Sequence, residues 1–147
     1  MTHEVPRPGM VVTNDTGDYD NIHPSRKQEV GIRLAGLALG DTYGKPGKGY
    51  QSPVLENTEI RKNKVLLYFR HTENGLTCRG KTPEGLQIAG QDGNFVTAKA
   101  RFVQESCLEV YSSQVKRPTA VRYCFDDSTV GNLSVRKRAA SSPFPHG

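Results

Sequence analysis

The hydrophobic and polar positions change their period near residue 50. Before that point, the apolar residues of segment 25–42 fall into two stripes at helical spacing, about 100° per residue. The stripes consist of Val30, Leu34 and Leu37 on one side and Ile32, Ala35 and Leu39 on the nearly opposite side. The pattern predicts a single helix over 25–42. It is either an ordinary core helix or a helix whose two apolar sides pack against two different parts of the protein.

Beyond residue 50, apolar and polar residues alternate, which is typical of half-buried strands. The alternation predicts six strands, at 54–61, 64–70, 85–89, 96–103, 108–112 and 120–125. Turn-forming residues separate them, as at Lys62-Asn63 and Asp92-Gly93-Asn94. Regularly spaced strands of this kind predict an antiparallel β-sandwich. A further short apolar run at 10–13 has the character of a buried strand in a parallel sheet.

These changes of pattern divide the chain into four parts. Residues 1–43 hold the short strand and the helix, and residues 44–50 form a linker rich in glycine, proline and lysine. Residues 51–126 form the β-sandwich, and residues 127–147 form a polar C-terminal tail. The predicted fold class is therefore α+β.

Composition narrows the classes of function. The chain has 147 residues and a formal charge of +5, with 20 Lys and Arg against 15 Asp and Glu. The basic residues are scattered up to the run at 136–138 and are not interleaved with aromatic residues, which argues against nucleic acid as a partner. No apolar run is long enough for a membrane span, and no secretory signal follows Met1.

Metal and cofactor sites are not predicted. The three cysteines, Cys78, Cys107 and Cys124, lack the C-x-x-C spacing of zinc sites, and the histidines other than His23 have no ligand partners at regular spacing. The glycines at 44–49 lack the strand-to-helix context of a phosphate-binding loop. Cys107 and Cys124 would pair only if they lay on neighbouring strands; otherwise we expect buried free thiols.

The candidate chemistry lies in the loop at 17–24, which reads Gly-Asp-Tyr-Asp-Asn-Ile-His-Pro. A carboxylate three residues before a histidine, here Asp20 before His23, can accept the proton of one ring nitrogen and leave the other nitrogen free as a base. Pro24 suits the first position of a helix, which makes His23 the predicted N-cap. The alternative interpretation is a surface histidine beside turn-forming aspartates.

The chain resembles the C-terminal part of sialate O-acetylesterases, which are SGNH-type carbohydrate esterases, from the end of their catalytic domain onwards. The resemblance spans nearly the whole chain. It is carried by Gly9-Met10-Val11-Val12-Thr13-Asn14-Asp15, Asn21-Ile22-His23-Pro24, Lys27-Gln28-Glu29-Val30-Gly31, Arg33-Leu34-Ala35, Tyr43-Gly44, Gly85-Leu86-Gln87-Ile88-Ala89-Gly90, Asp92-Gly93-Asn94-Phe95-Val96, Ala120-Val121-Arg122-Tyr123, Asn132-Leu133 and Ser141-Ser142-Pro143-Phe144.

The resemblance implies that residues 1–43 are the C-terminal remnant of an SGNH α/β hydrolase domain, comprising a strand, the catalytic loop and one helix. It implies that His23 is the general base and Asp20 the acid that orients it, with Asp18 as the alternative. The serine nucleophile of the family lies in a G-Q-S-N-like motif, which this sequence lacks. We therefore expect the C-terminal portion of an esterase, inactive by itself.

The resemblance also implies an O-acetylated sugar as substrate of the intact enzyme and a missing N-terminal catalytic region as partner. The family works in the periplasm, outside the cell or in lysosomes. An uncovered apolar helix stripe would alternatively support a homodimer. A different class of function is a non-catalytic β-sandwich that binds a glycan or braces a partner domain. The candidate residues for stacking on a sugar ring are Tyr50, Tyr68 and Tyr111.

Overall fold

The computed structural model describes residues 9–13, 16–17, 20–21, 23, 25–45, 51–126, 129 and 131–136. Within them, the chain forms one α-helix and nine strands. The helix α1 spans Lys27–Leu37 and continues as a π-helical segment over Ala38–Thr42. The strands are β1 Val54–Arg61, β2 Lys64–Arg70, β3 Leu76–Cys78, β4 Leu86–Ala89, β5 Val96–Thr97, β6 Lys99–Gln104, β7 Cys107–Tyr111, β8 Ala120–Tyr123 and β9 Leu133–Val135.

The strands form three antiparallel sheets. A four-stranded sheet has the order β1-β2-β7-β6, a three-stranded sheet the order β5-β4-β8, and β3 pairs with β9. The segment predicted as one strand at 96–103 is divided between the two larger sheets. Its break lies at the buried Ala98, whose N–H donates to the carbonyl oxygen of Leu86 at 3.0 Å. This bend connects the two sheets.

The core lies between the four-stranded and the three-stranded sheets. Alternate residues of β2 and β7, such as Val65 and Val110, meet alternate residues of β4, such as Ile88, in one buried cluster. Two sheets that share one apolar layer in this way form a β-sandwich. The predicted α+β class with an antiparallel β-sandwich is confirmed.

Two strands were missed by the sequence pattern, because each is only three residues long. β3 begins after Gly75, which has a positive φ of 83°, and pairs with β9. β9 lies within the segment assigned to the polar tail. Residues Thr77 and Ser134 face each other in this ladder, so neither strand shows the long alternation that the pattern requires.

The start of the helix differs from the prediction. Arg26 occupies the N-cap position without a side-chain cap, so His23 is not the N-cap. Instead, His23 lies in a turn before the helix, where its backbone N–H donates to Oδ1 of Asn21 at 2.8 Å. Pro24 lies outside the described residues.

The helix makes few contacts. None of the residues of α1 is buried, and Ile32, Leu34 and Leu39 are exposed. On the other side, Arg33 donates from Nη1 to the carbonyl oxygen of Val12 at 2.7 Å, which holds the lead-in segment against the helix. Residues 10–13 form no strand, as we expect for a strand-like run that has no neighbouring strand to pair with. No helix in the described part of the chain is long and apolar enough to cross a membrane.

Candidate functional site

The loop before α1 is held by two local turns. Thr16 is buried and donates both its backbone N–H and its hydroxyl to the carbonyl oxygen of Thr13, at 2.9 and 2.8 Å. Further along, Asn21 accepts the N–H of His23. Side chains of Thr and Asn form such turns readily, because their short polar groups reach the backbone nearby. These bonds stabilise local turns before and after Asp20.

The described residues of the predicted catalytic pair are both exposed and do not contact each other. No hydrogen bond or ion pair joins Asp20 to His23, and no serine hydroxyl donates to His23, among the residues that the structure describes. Asp18, the alternative acid, lies outside these residues, as does Asp15. The roles assigned to His23, Asp20 and Asp18 stay predictions.

Beside this loop, α1 presents apolar side chains to solvent. Ile32 is 63% exposed and Leu39 47% exposed, and Met10 and Val12 of the lead-in segment are exposed as well. Within the described part of the loop, His23 is paired with neither a carboxylate nor a serine hydroxyl, and the apolar side chains beside it face solvent.

The outer face of the four-stranded sheet carries a buried carboxylate. Glu109 accepts hydrogen bonds at Oε1 from Arg101 Nε at 2.6 Å and from Lys64 Nζ at 3.1 Å. Burial by itself raises the pKa of the Glu109 carboxyl, but these two hydrogen bonds outweigh it and hold the pKa below its usual value. The carboxylate is charged and fully engaged in the protein at neutral pH.

Two of the tyrosines that the sequence offers as sugar-stacking residues already contact charged side chains on the outer face of the four-stranded sheet. Tyr68 donates its hydroxyl to Oε2 of Glu59 at 3.1 Å, and the ammonium of Lys64 lies 5.5 Å from the ring centroid of Tyr111. Tyr50, the third candidate, lies outside the described residues. The charged and hydroxyl groups on this face of the four-stranded sheet thus bond with one another.

The outer face of the three-stranded sheet is different. Arg122 of β8 pairs in register with Gln87 of β4, and its Nε donates to Oε1 of Gln87 at 2.5 Å. The guanidinium carbon lies 4.1 Å from the ring centroid of Phe95 and 5.1 Å from that of Phe125. Sequence reasoning missed this cluster, because its members are far apart in the chain.

Two residues of the resemblance motifs, Tyr123 and Asn132, have structural roles. Asn132 donates from Nδ2 to the carbonyl oxygens of Arg79 and Thr82, both at 2.9 Å, and accepts the N–H of Glu84 at 2.9 Å. It therefore ties the loop between β3 and β4 to the start of β9.

The Tyr123 hydroxyl accepts the backbone N–H of Leu133 at 3.1 Å. Burial raises the pKa of Tyr123 to about 12, and the hydrogen bond from Leu133 only partly offsets this effect. A β carbon at Gly131 would overlap the Tyr123 hydroxyl oxygen. Tyr123 of β8 therefore packs closely against the segment 131–133, and a side chain larger than that of glycine does not fit at position 131.

The three cysteines are free thiols. Cys107 lies in the four-stranded sheet and Cys124 follows β8 of the three-stranded sheet, so they are not on neighbouring strands. Burial raises the pKa of Cys78, Cys107 and Cys124. In the described ranges, no three His, Cys, Asp or Glu residues gather in a way that could hold a metal ion.

No protein-family model matches the sequence, and no curated protein matches it either. Among solved structures, the chain is similar to a carbohydrate acetylesterase from Xanthomonas citri, with 34% sequence identity and a TM-score of 0.77. The similarity covers 83% of this chain and 28% of the other, so this chain spans less than a third of the protein that it matches. Similarity in both sequence and structure over most of this chain relates it to a carbohydrate acetylesterase.

Proposed function

We propose that this chain is the C-terminal portion of a carbohydrate O-acetylesterase, in which His23 is the general base. The similarity to the Xanthomonas citri carbohydrate acetylesterase carries the proposal, at 34% identity over 83% of this chain. Since the chain spans 28% of that protein, the greater part of such an enzyme has no counterpart here. The serine nucleophile and the oxyanion hole belong to that other part.

In the proposed reaction, His23 takes the proton of the serine hydroxyl while the serine oxygen attacks the acetyl carbonyl carbon. The sugar hydroxyl leaves with that proton, and an acetyl-enzyme forms. His23 then deprotonates a water molecule, which releases acetate and restores the serine. Asp20, or Asp18 in its place, holds the imidazole in the required orientation. A sialic acid is the proposed sugar of the substrate.

The exposed apolar residues of the helical segment support a partner at this position. Ile32 and Leu39 belong to one predicted stripe and Leu34 to the opposite one, and all three are exposed after the loop that carries His23. Covering them with the catalytic region would remove apolar surface from water and would bring a serine towards the imidazole in the same step. A second copy of this chain is the alternative occupant, which light scattering distinguishes because it doubles the mass.

The first test is the hydrolysis of acetylated sugars by the chain alone. We expect no turnover above that of the His23→Ala variant, since no described serine donates a hydrogen bond to His23. Turnover that disappears in His23→Ala would contradict the proposal that the chain lacks its nucleophile.

The second test restores the missing part. A chimera of the Xanthomonas citri enzyme, in which this chain replaces the segment that it matches, is expected to hydrolyse acetyl esters. His23→Ala should then lower kcat by about 10³-fold, the usual size of a general-base effect. Asp20→Asn and Asp18→Asn, assayed side by side, identify the acid. An active chimera that tolerates His23→Ala would refute the role of His23.

Substrate preference is read from the same chimera. Acetylated N-acetylneuraminic acid and an acetylated neutral hexose are compared by kcat/KM. A preference for the neutral sugar would refute sialate as the substrate and leave the acetylesterase proposal intact.

A second candidate function is a β-sandwich module that binds a glycan without turning it over. The cluster around Arg122 favours it, because an arginine and two aromatic rings share one outer face of the sandwich. Binding and catalysis are separable here, since this cluster and His23 lie in different parts of the chain.

A further inference from the structure

The outer face of the three-stranded sheet bears a cluster formed by Gln87, Phe95, Arg122 and Phe125, hereafter the Arg122 cluster. We propose that the Arg122 cluster binds a sugar ring that carries a carboxylate, of the hexuronic acid kind. Arg122 would take the carboxylate and Phe125 the apolar face of the ring. The proposal rests on the proposed function only in choosing a sugar as the bearer of the carboxylate.

Arg122 differs in its partners from Arg61 and Arg101 of the opposite sheet. Arg61 and Arg101 each donate to a glutamate, Glu59 and Glu109, at 2.7 and 2.6 Å. Arg122 donates only from Nε, to a neutral amide, and no carboxylate pairs with it among the described residues. Its Nη donors are therefore available for an acid from outside the chain.

Two acidic side chains near the cluster in sequence accept hydrogen bonds from other residues. Asp92 accepts the amide of Asn94 at 3.0 Å, and Asp126 accepts both the N–H and the hydroxyl of Thr129 at 2.7 Å. No ion pair joins Arg122 to a carboxylate within the described ranges. A guanidinium that is not paired in this way favours an anionic ligand.

The guanidinium is also held in place before any ligand arrives. The Arg122 Nε–H donates to the side-chain oxygen of Gln87. The rings of Phe95 and Phe125 lie within cation–π distance of the guanidinium carbon. A planar fork that is already ordered loses little side-chain entropy when it binds a carboxylate through two hydrogen bonds. The arrangement suits a carboxylate better than a single point acceptor.

Phe125 gives the cluster its preference for a ring. Its side chain is 73% exposed although it is large and apolar. Aromatic faces bind the C–H face of a pyranose, because both surfaces are apolar and flat. Thr97, which pairs with Gln87 and is exposed, adds a hydroxyl on the same face of the sheet for the hydroxyls of the sugar.

The test is a titration of the full chain, labelled with ¹⁵N, in which the Nε–H resonance of Arg122 is followed by NMR. The probes are D-glucuronate, D-glucose and acetate at equal ionic strength. Glucuronate and glucose differ only in the carboxylate at C6, and acetate supplies a carboxylate without a ring. We expect saturable shifts with glucuronate and an affinity about tenfold weaker for either of the other two probes.

Two variants test whether glucuronate binds at the Arg122 cluster, and a third serves as a control. Arg122→Gln and Phe125→Ala should each weaken glucuronate binding about tenfold, as judged from the remaining shifted resonances. Arg70→Gln makes the same charge change at an exposed position of β2 and should leave the affinity unchanged. Phe125 is exposed, so its replacement does not threaten folding.

Three results would overturn the proposal. They are the absence of a saturable shift with glucuronate, acetate binding as tightly as glucuronate, and an effect of Arg70→Gln equal to that of Arg122→Gln. None of them bears on His23. Failure of the chimera to hydrolyse acetyl esters would conversely leave this binding measurement untouched.

Discussion

Replacing Asn132 by alanine tests whether this residue holds the sandwich together. Asn132 is 8% exposed, and its side chain makes three hydrogen bonds to backbone groups of Arg79, Thr82 and Glu84. Those three residues precede it by about fifty positions in the sequence, so the contact joins two distant segments. Alanine removes all three bonds at once and adds no new group.

The magnitude follows from the exposure of the partners. A hydrogen bond contributes about 1 kcal/mol net, and more when a buried group is left without a partner. Arg79, Thr82 and Glu84 are exposed, so water can replace the lost bonds at their backbone groups. We therefore expect a loss of about 3 kcal/mol in the free energy of unfolding, a large fraction of the roughly 5–15 kcal/mol of an ordinary domain.

Urea denaturation measures this loss. With an m-value of about 2 kcal/mol/M, the midpoint should fall by about 1.5 M while the m-value stays the same. Asn94→Ala is the matched control, since Asn94 is exposed and its side chain donates only to Asp92. It should lose less than about 0.5 kcal/mol. If Asn132→Ala loses no more than Asn94→Ala, the structural role of Asn132 is refuted.

Three further predictions concern the stability of the β-sandwich. Gly131→Ala places a β carbon against the Tyr123 hydroxyl and should lower the midpoint of urea unfolding by more than 1 M (about 2 kcal/mol), whereas Gly31→Ala, with no atom nearby, should not lower it. The raised pKa of Tyr123 means that its contribution is complete below pH 10 and is lost as the pH rises towards 12. Because Tyr123 is 39% exposed, we expect this loss to be only about 1 kcal/mol, and Tyr123→Phe should abolish it; equal pH dependence in both proteins would contradict the assignment. The lowered pKa of Glu109 has the opposite sign: its contribution is present above the ordinary glutamate range and is lost as the pH falls through the lowered folded pKa. Glu109→Gln should therefore flatten the acid limb of the stability profile, and an unchanged acid limb would contradict this reasoning.

Much of the sandwich could be predicted from local alternation. β1 and β2 begin and end at the predicted residues, because the turn-forming pair Lys62-Asn63 marks the boundary between them. The three-residue strands β3 and β9 could not be found this way. The helix was predicted within a few residues of its ends, but its N-cap was wrong, since the helix starts after Arg26 and His23 lies in the turn before it.

The two candidate sites differ in the same way, since one was found from the sequence and the other only from the structure. His23 and Asp20 were selected by spacing and by resemblance, and their chemistry depends on groups that must come from outside the described residues. The Arg122 cluster was invisible in the sequence, since Gln87 and Arg122 are 35 residues apart. Only the pairing of β4 with β8 brings an amide, a guanidinium and two rings together.

The sequence by itself therefore determined where the longer strands and the helix occur and which loop carries a histidine beside carboxylates. These properties depend on periods of two and 3.6 residues and on neighbours in the chain. The tertiary structure decided the division of one predicted strand between two sheets, the anchoring role of Asn132 and the composition of the Arg122 cluster. Each of these depends on the register between strands that are distant in sequence, and register is set by packing of the whole core.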